Sequence, residues 1–282
     1  MKVLILGASG FVGRHLRAAL ERRGDIVIAG SLHDPSAAAT EAATCDAVVN
    51  LAGEPLAQRW NDAVKHAIFY SRTELPRRFL EALGRIDRAT VKTYVSASAV
   101  GYYGTSETST FTEENPPGAD FLAQVCEAWE LQAAAARDLG LRVAIVRSGL
   151  VLGRDGGALA KMLPPFRFGA GGVIGNGKQW YSWVHIDDVV AIYVSAIDGG
   201  EGPFNATAPN PVTNAEFTHG LGAVLHRPAV LPVPQFVLEL MLGEGASVLT
   251  GGQRALPMRI TEERGYTFAF PALAGALENL LA

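Results

Sequence analysis

Three glycines near the start of the chain stand at a spacing suited to gripping a diphosphate. The sequence opens MKVLILGASGFVGRHL, and Gly7, Gly10 and Gly13 follow directly on a short apolar run. A strand that turns at once into a helix aims the helix's unpaired N–H groups and positive dipole end at whatever lies above the turn. Phosphate is the usual occupant. In that role Gly7 makes the tight turn, Gly10 admits a pyrophosphate close to the backbone, and Gly13 lets helix pack on strand. The spacing is G-x-x-G-x-x-G, and a purely structural glycine turn is the alternative. A strand before it, a helix after it and its place at the chain start favour dinucleotide binding.

The next position with chemical meaning lies about twenty residues on, where an acid at the end of the second strand holds the ribose of NAD. The chain reads Ile28-Ala29-Gly30-Ser31-Leu32-His33-Asp34, with neither acid nor arginine at the strand end. Without a carboxylate nothing repels a 2′-phosphate, which favours NADP(H) over NAD(H). Arg14 is a candidate partner for that phosphate, or a solvated surface arginine. Asp34, in the following loop, keeps NAD(H) open.

These residues need a scaffold, and the hydrophobic pattern supplies one. Short apolar strands are expected at Val3–Leu6, 25–29, 47–51, 93–96 and 142–147. Helical stretches are expected from Gly13 to about Gly24, over 60–83 with Asn61 or Asp62 as cap, over 121–139, over 187–197 and over 272–281. Thr213-Asn214-Ala215-Glu216 has the form of a capping box, starting a helix to about Leu225. Strands alternating with helices give an α/β fold, a Rossmann-type doubly wound parallel sheet covered on both faces.

Composition narrows the function further. The 282 residues are 49% apolar and 18% charged, enough to fill a large core. The net charge of −4 comes with no basic block, which argues against a nucleic-acid surface. No apolar run reaches membrane-spanning length. Cys45 and Cys126 have no metal-type spacing, no metal site is expected, and their usage suits a reduced, cytoplasmic compartment. VLILG is too short for a signal peptide.

The combination GASGFVG, NLAGEPLAQRW, YSR, SASAVGYYG, RSGLVLG and WVHIDDV resembles the extended short-chain dehydrogenase/reductases. More narrowly it resembles their atypical epimerase-like family, nearly end to end. The tail from Pro232 through GGQRALPMR to FPAL is similar to that family's C-terminal segment. The resemblance implies a Rossmann domain over residues 1–160, to which about 184–206 return. It also implies a smaller substrate-binding region over 161–282, with NADP(H) between the two. Carried over by position, Gly7, Ser9, Gly10, Phe11, Val12 and Gly13 line the phosphates. Ser31 stands where relatives often carry an arginine for the 2′-phosphate. Leu51, Ala52 and Gly53 flank adenine and ribose. Arg72, in the YSR match, lies near the cofactor or pairs with a helix C-terminus. Ser96 counts with the cofactor residues, and Arg147 marks the strand exit beside the nicotinamide. Only about seventeen residues separate strand two from AVVNL, so the edge strand that relatives fit there is expected to be absent or vestigial. The resemblance also makes the helices beside strands four and five a candidate homodimer surface.

The catalytic pattern departs from the superfamily. Its reductases use a Ser, a Tyr and a Lys. Ser98 holds the serine position. Anchored on Glu130, the lysine position holds Cys126 and the tyrosine position holds Leu122. Leucine has no proton to exchange, and a thiol offers no fixed positive charge. Tyr102 and Tyr103 are the available phenols, with packing aromatics as the alternative role. His185, in WVHIDD, is expected to make structural hydrogen bonds with Asp187 and Asp188. A substrate pocket is expected over the nicotinamide, walled by 161–183. There Lys161, Arg167, Lys178 and Gln179 are candidates for holding an anionic or hydroxyl-rich ligand, and Trp180 and Trp183 for stacking on a ring. Two functions remain: an NADP(H)-dependent oxidoreductase or epimerase on a small sugar-like or polyol substrate, or a non-catalytic NADP(H)-binding sensor or partner-binding protein.

Overall fold

The computed structural model describes residues 1–229 and 231–282. The first half alternates strictly. Strand β1 (Lys2–Leu6) leads through the glycine turn into α1 (Phe11–Arg22), then β2 (Ile26–Gly30), α2 (Pro35–Ala42), β3 (Ala47–Asn50), α3 (Asp62–Gly84) and β4 (Thr93–Ala99). A short strand, β5 (Thr110–Phe111), precedes α4 (Phe121–Ala134), β6 (Arg142–Ser148) and β7 (Leu150–Gly153). After these come α5 (Gly157–Arg167), β8 (Trp180–Tyr181), β9 (Trp183–His185), α6 (Ile186–Asp198) and β10 (Gly202–Ala206). The remainder holds β11 (Val212–Thr213), α7 (Asn214–Leu225), α8 (Gln235–Leu242), β12 (Arg254–Ala255) and a terminal helix, Leu273–Leu281.

Six strands form one parallel sheet in the order β10-β6-β4-β3-β1-β2. Strand period two splits their side chains between two cores. Val3, Ile5, Val49, Val95 and Val146 face α1 and α6, while Leu4, Leu6, Val48, Tyr94 and Val143 face the side of α2, α3 and α4. Because both faces are buried, the strands read as continuous apolar runs rather than alternating ones. Strand β2 lies at the sheet edge. The segment between β2 and β3 carries α2 and no strand. The strand order reverses between β1 and β3, which is the switch point where ligands settle in open α/β sheets.

Polar side chains set where several helices begin. Asp34, Asn61, Asp120 and Thr213 cap α2, α3, α4 and α7, each accepting from a backbone N–H of the first turn. Thr213 and Glu216 close the full capping box. The helical stretch ending at Leu139 is α-helical to Ala134 and tightens to a 3₁₀ turn over Ala135–Leu139. Helices α2, α5 and α8 are not among the elements expected from the sequence. Helix α2 is a short alanine-rich crossover, and α5 sits in a glycine-dense stretch and carries Pro164-Pro165.

The later segments are tied to the sheet. Strand β10 pairs with β6, and α6 packs beside α1. Asp188, on α6, accepts from the Tyr266 hydroxyl at 2.7 Å and the Ala269 and Phe270 N–H groups at 2.8 and 3.1 Å. That carboxylate pins the C-terminal chain against the parallel sheet. No helix among the described residues is long and apolar enough to cross a membrane.

Candidate functional site

The glycine turn has the geometry its residue types predict. Gly7 takes φ +86°, the left-handed region that favours glycine. A Cβ on Gly13 would lie 2.3 Å from the Gly7 carbonyl oxygen and 2.9 Å from Ala8 Cα, so helix and strand touch backbone to backbone. The Gly10 N–H closes the turn onto the Gly7 oxygen at 3.0 Å. Unlike the capped helices, α1 has no side-chain cap at its N-terminus. Its first-turn N–H groups are left for water or a ligand. Gly7 also abuts Leu51 and Ala52, with a Cβ there 3.0 Å from each backbone. The turn and the end of β3 therefore meet at the switch point. Ser9 is exposed at the turn, and Val12 is half-buried.

Phe11 does not project freely above the turn. Its ring rests on Gly153, Gly156 and Gly157, where any Cβ would approach within 2.7 Å of a ring carbon. The same loop holds Asp155, which pairs with Arg14 at 3.2 Å and His15 at 2.9 Å. Arg14, a candidate for the 2′-phosphate, thus already has a carboxylate partner. Asp34 is spent on capping α2, accepting from the Ala37 N–H at 3.0 Å. Ser31 is exposed at the end of β2, accepting from the His33 N–H.

At the carboxyl ends of β4 and β6 lies a cavity of about 320 Å³. Ser98 to Gly101 and Ser148 to Leu150 form its floor; Leu122, Cys126 and Trp129 of α4 form one wall, and Ser247 to Gln253 the roof. Burial pushes the Cys126 thiol up to about 12, the Glu130 charge adding to this and Arg72 opposing it. A thiol so placed stays protonated and is a poor nucleophile at neutral pH.

Beside the cavity a buried polar network absorbs several of the candidate residues. The Ser98 hydroxyl donates to Glu130 Oε1 at 2.6 Å. Arg147 donates bidentately to Glu130, Nε to Oε1 at 2.8 Å and Nη2 to Oε2 at 2.7 Å. Arg147 Nη1 donates to the Tyr103 hydroxyl at 2.9 Å, which donates onward to Asn205 Oδ1 at 2.7 Å. The guanidinium lies 3.6 Å from the Tyr102 ring centroid. Burial works against the Arg147 charge, and the Glu130 hydrogen bonds more than offset it, raising its pKa. Burial raises the Tyr103 phenol to about 12 and also raises Tyr102.

These contacts place the expected site residues. Tyr102 and Tyr103 sit in the network and neither lines the cavity, because Arg147 draws both rings away from it. Arg147, at the carboxyl end of β6, is held by Glu130. Ser96 is buried, bonding to the Ala97 carbonyl. Among the substrate candidates only Trp180 reaches the cavity, its indole N–H donating to the Glu107 carbonyl at 2.8 Å. Gln179 is buried and holds the roof, donating to the Ile174 and Leu249 carbonyls. Trp183 is fully buried in the core, donating to the Asn210 carbonyl. Lys161 and Arg167 lie exposed on α5, outside the cavity. His185 Nδ1 accepts from the Asp187 N–H at 3.1 Å, capping α6, and its ring stacks on Phe270.

Arg72 reaches the cavity from α3, with its guanidinium against the Gly53 backbone. Leu51 and Ala52 continue β3 towards it: the Leu51 N–H donates to the Leu6 carbonyl and the Ala52 N–H to Asn50 Oδ1. Trp129 and the roof over 247–253 belong to the cavity without having been singled out in the sequence. The tail's GGQ run was the available signal for the roof, and nothing in the local sequence marks Trp129.

A glycine turn without a side-chain cap, at the switch point of a doubly wound parallel sheet, defines an NAD(P)-binding Rossmann protein. The chain belongs to the NAD dependent epimerase/dehydratase family, whose model matches residues 3–206. A second model, a domain of unknown function (DUF1731), matches residues 233–280. The chain is 41% identical over 303 residues to the Arabidopsis thaliana epimerase family protein SDR39U1 homolog, chloroplastic, covering 100% of this chain and 87% of that protein. It is 38% identical over 297 residues to epimerase family protein SDR39U1 of Homo sapiens, covering 100% of both. The crystal structure of human SDR39U1 (isoform 2) with NADPH superposes with a TM-score of 0.92 at 36% identity, covering 99% of each chain.

Proposed function

We propose that this chain is an NADP(H)-dependent oxidoreductase or epimerase that holds a small sugar-like or polyol substrate in the Ser98 cavity. The carrying observation is the placement of that cavity at the carboxyl ends of β4 and β6, on the edge of the parallel sheet where the glycine turn follows the carboxyl end of β1. The turn fits a dinucleotide: Gly10 and Gly13 leave no side chain above the backbone, and α1 offers uncapped N–H groups. In this reading Gly7, Ser9, Gly10, Val12 and Gly13 hold the diphosphate, with Phe11 bracing the turn against 153–157. Leu51, Ala52 and Gly53 flank the adenosine ribose. Ser31 leaves room for a 2′-phosphate at an end of β2 that carries no acid, and a structure of a relative was solved with NADPH. Residues 1–160 and about 184–206 make the nucleotide-binding unit, and 161–282 supply the substrate side. Bound there, the nicotinamide supplies hydride donor or acceptor chemistry.

The chain's own residues supply orientation more than proton transfer. Ser98 can accept a hydrogen bond from a substrate hydroxyl while donating its own to Glu130. The carboxylate behind it is held bidentately by Arg147. One observation favours a second reading, a non-catalytic NADP(H) sensor: the α4 wall of the cavity carries Leu122 and Cys126, and the Tyr181 hydroxyl in the lining already donates to the Leu249 carbonyl at 3.2 Å. Calorimetry with NADPH, followed by nicotinamide fluorescence across a panel of carbonyl and nucleotide-sugar compounds, separates the two. Binding with turnover supports the enzyme. Binding without turnover across the panel supports the sensor, and no binding refutes both.

A further inference from the structure

Two neighbouring side chains of the cavity wall have polar groups that the protein leaves without partners among the described residues. Arg72 is 8% exposed, yet it forms no ion pair among the described residues. Only Nη1 bonds to protein, to the Ile68 carbonyl at 3.2 Å and the Ser71 hydroxyl at 3.4 Å. The other partly or wholly buried arginines are better served. Arg147 has Glu130, Arg259 has Glu263, and Arg142 donates to three backbone carbonyls and Thr93. Trp129, 6% exposed, lies against the Arg72 guanidinium, 5.0 Å from ring centroid to Cζ. Its indole N–H is buried with no acceptor. Both residues line the same cavity.

The cavity's charges do not cancel locally. Asp120 is the sole acid in its lining, and it caps α4 from the Gly104 side. Glu54, the nearest acid to Arg72 in charge effect, accepts from the Gln58 side chain. A buried cation without a counter-charge is unfavourable, and a ligand oxyanion removes the penalty. A guanidinium fork suits carboxylate and phosphate geometry, and an adjacent N–H donor adds a further charge-assisted bond. The remaining wall, Leu56, Leu122, Val125 and Val248 among it, is apolar and strengthens such bonds by excluding water.

We propose that Arg72 and Trp129 form an oxyanion subsite in the Ser98 cavity, so that the small molecule bound there carries a carboxylate or phosphate group. This deepens the proposed function by naming the substrate class as acidic. It also gives the wall a fixed positive charge from α3, where the lysine position of α4 holds Cys126. The cavity, at about 320 Å³, suits a compound of sugar-acid or sugar-phosphate size.

The test uses pairs in which one member alone carries an anionic group: D-gluconate against D-sorbitol, and D-glucose 6-phosphate against D-glucose. Each is titrated calorimetrically into the NADPH-saturated protein and into the nucleotide-free protein, with the Trp129 indole N–H followed by NMR. At least one anion should bind about tenfold or more tightly than its neutral mate and shift that resonance. Arg72→Met should erase the preference while leaving NADPH affinity within about twofold, and Trp129→Phe should weaken the anion alone. Gluconate preference identifies a carboxylate ligand, and glucose 6-phosphate preference a phosphate. Arg72→Lys, which keeps the charge and loses the fork, serves if the Met variant melts early, and it should still lower the preference. Equal binding of acid and neutral mates, or no binding of either acid, overturns the subsite. So does an Arg72→Met variant that loses NADPH affinity about tenfold, since the guanidinium's partner would then be the nucleotide. Failure of wild-type protein to bind NADPH sinks the proposed function instead, and the nucleotide-free titrations still decide the subsite.

Discussion

Replacing Gly13 by alanine probes the closest approach in the molecule that the nucleotide reading depends on. The added Cβ would stand 2.3 Å from the Gly7 oxygen and within 3.0 Å of two Ala8 backbone atoms. That is roughly 1 Å short of ordinary contact. Neither neighbour is a flexible side-chain end, so α1 must lift off β1 or the Gly7 carbonyl must rotate. Rotation breaks the Gly10 N–H bond that closes the turn. Overpacking of this kind costs about 1–3 kcal/mol, offset by up to ~1 kcal/mol from alanine's better helix propensity. For a chain this long each kcal/mol moves the melting temperature by about 2–4 °C. Gly275→Ala, in the terminal helix with nothing within 4 Å, isolates the propensity gain and should be neutral to stabilising. Displacing the first-turn N–H groups should weaken NADPH binding at least tenfold, ~1.4 kcal/mol. Calorimetry on both variants reads this directly. A Gly13→Ala protein that binds NADPH as tightly as Gly275→Ala would refute the claim that the turn grips the diphosphate.

Other consequences follow from the network and the caps. Glu130→Gln leaves the Arg147 charge buried and should cost about 3–5 kcal/mol in urea unfolding; a loss under about 1 kcal/mol would mean the pair is not held as described. Tyr103→Phe removes the hydroxyl between Arg147 and Asn205 and should cost about 1–3 kcal/mol of stability, without abolishing any turnover; abolished turnover in a folded variant would restore the phenol to catalysis. Burial lowers the His185 pKa from 6.5, against the opposing charges of Asp187 and Asp188. The unfolded chain therefore holds more protons between the folded value and 6.5, and stability should fall as pH drops below 6.5, by up to ~1.4 kcal/mol per pH unit, levelling at the folded value. His185→Asn keeps a capping side chain and should flatten that slope in pH-dependent thermal melts; an unchanged slope assigns the proton elsewhere.

Local chemistry was legible in the sequence where one segment sufficed to determine it. The glycine turn, the Thr213–Glu216 box and the Asn61 cap all depend on residues within a few positions of each other. The missing edge strand was legible from chain length alone, since the short stretch after β2 leaves room only for α2. The fate of Tyr103 was not. Its partners, Arg147 and Asn205, lie 44 and 102 residues away, and nothing near Tyr103 announces them. The wall of 161–183 was legible only in part: Met162 and Trp180 to Ser182 line the cavity, while α5 turns Lys161 and Arg167 outward and the roof comes from 247–253. Arg72 was visible as a motif residue, but its unpaired state is a property of the packed cavity and of no single stretch.

The central claim is that the backbone at the first turn holds a nucleotide diphosphate beside the Ser98 cavity. A crystal structure of this protein grown with NADPH tests it most directly. Diphosphate oxygens should lie within hydrogen-bond range, about 3 Å, of the N–H groups beginning α1, with the nicotinamide beside Ser98 and Ser148. A nucleotide bound elsewhere, or a turn filled by the protein's own side chains, would contradict it.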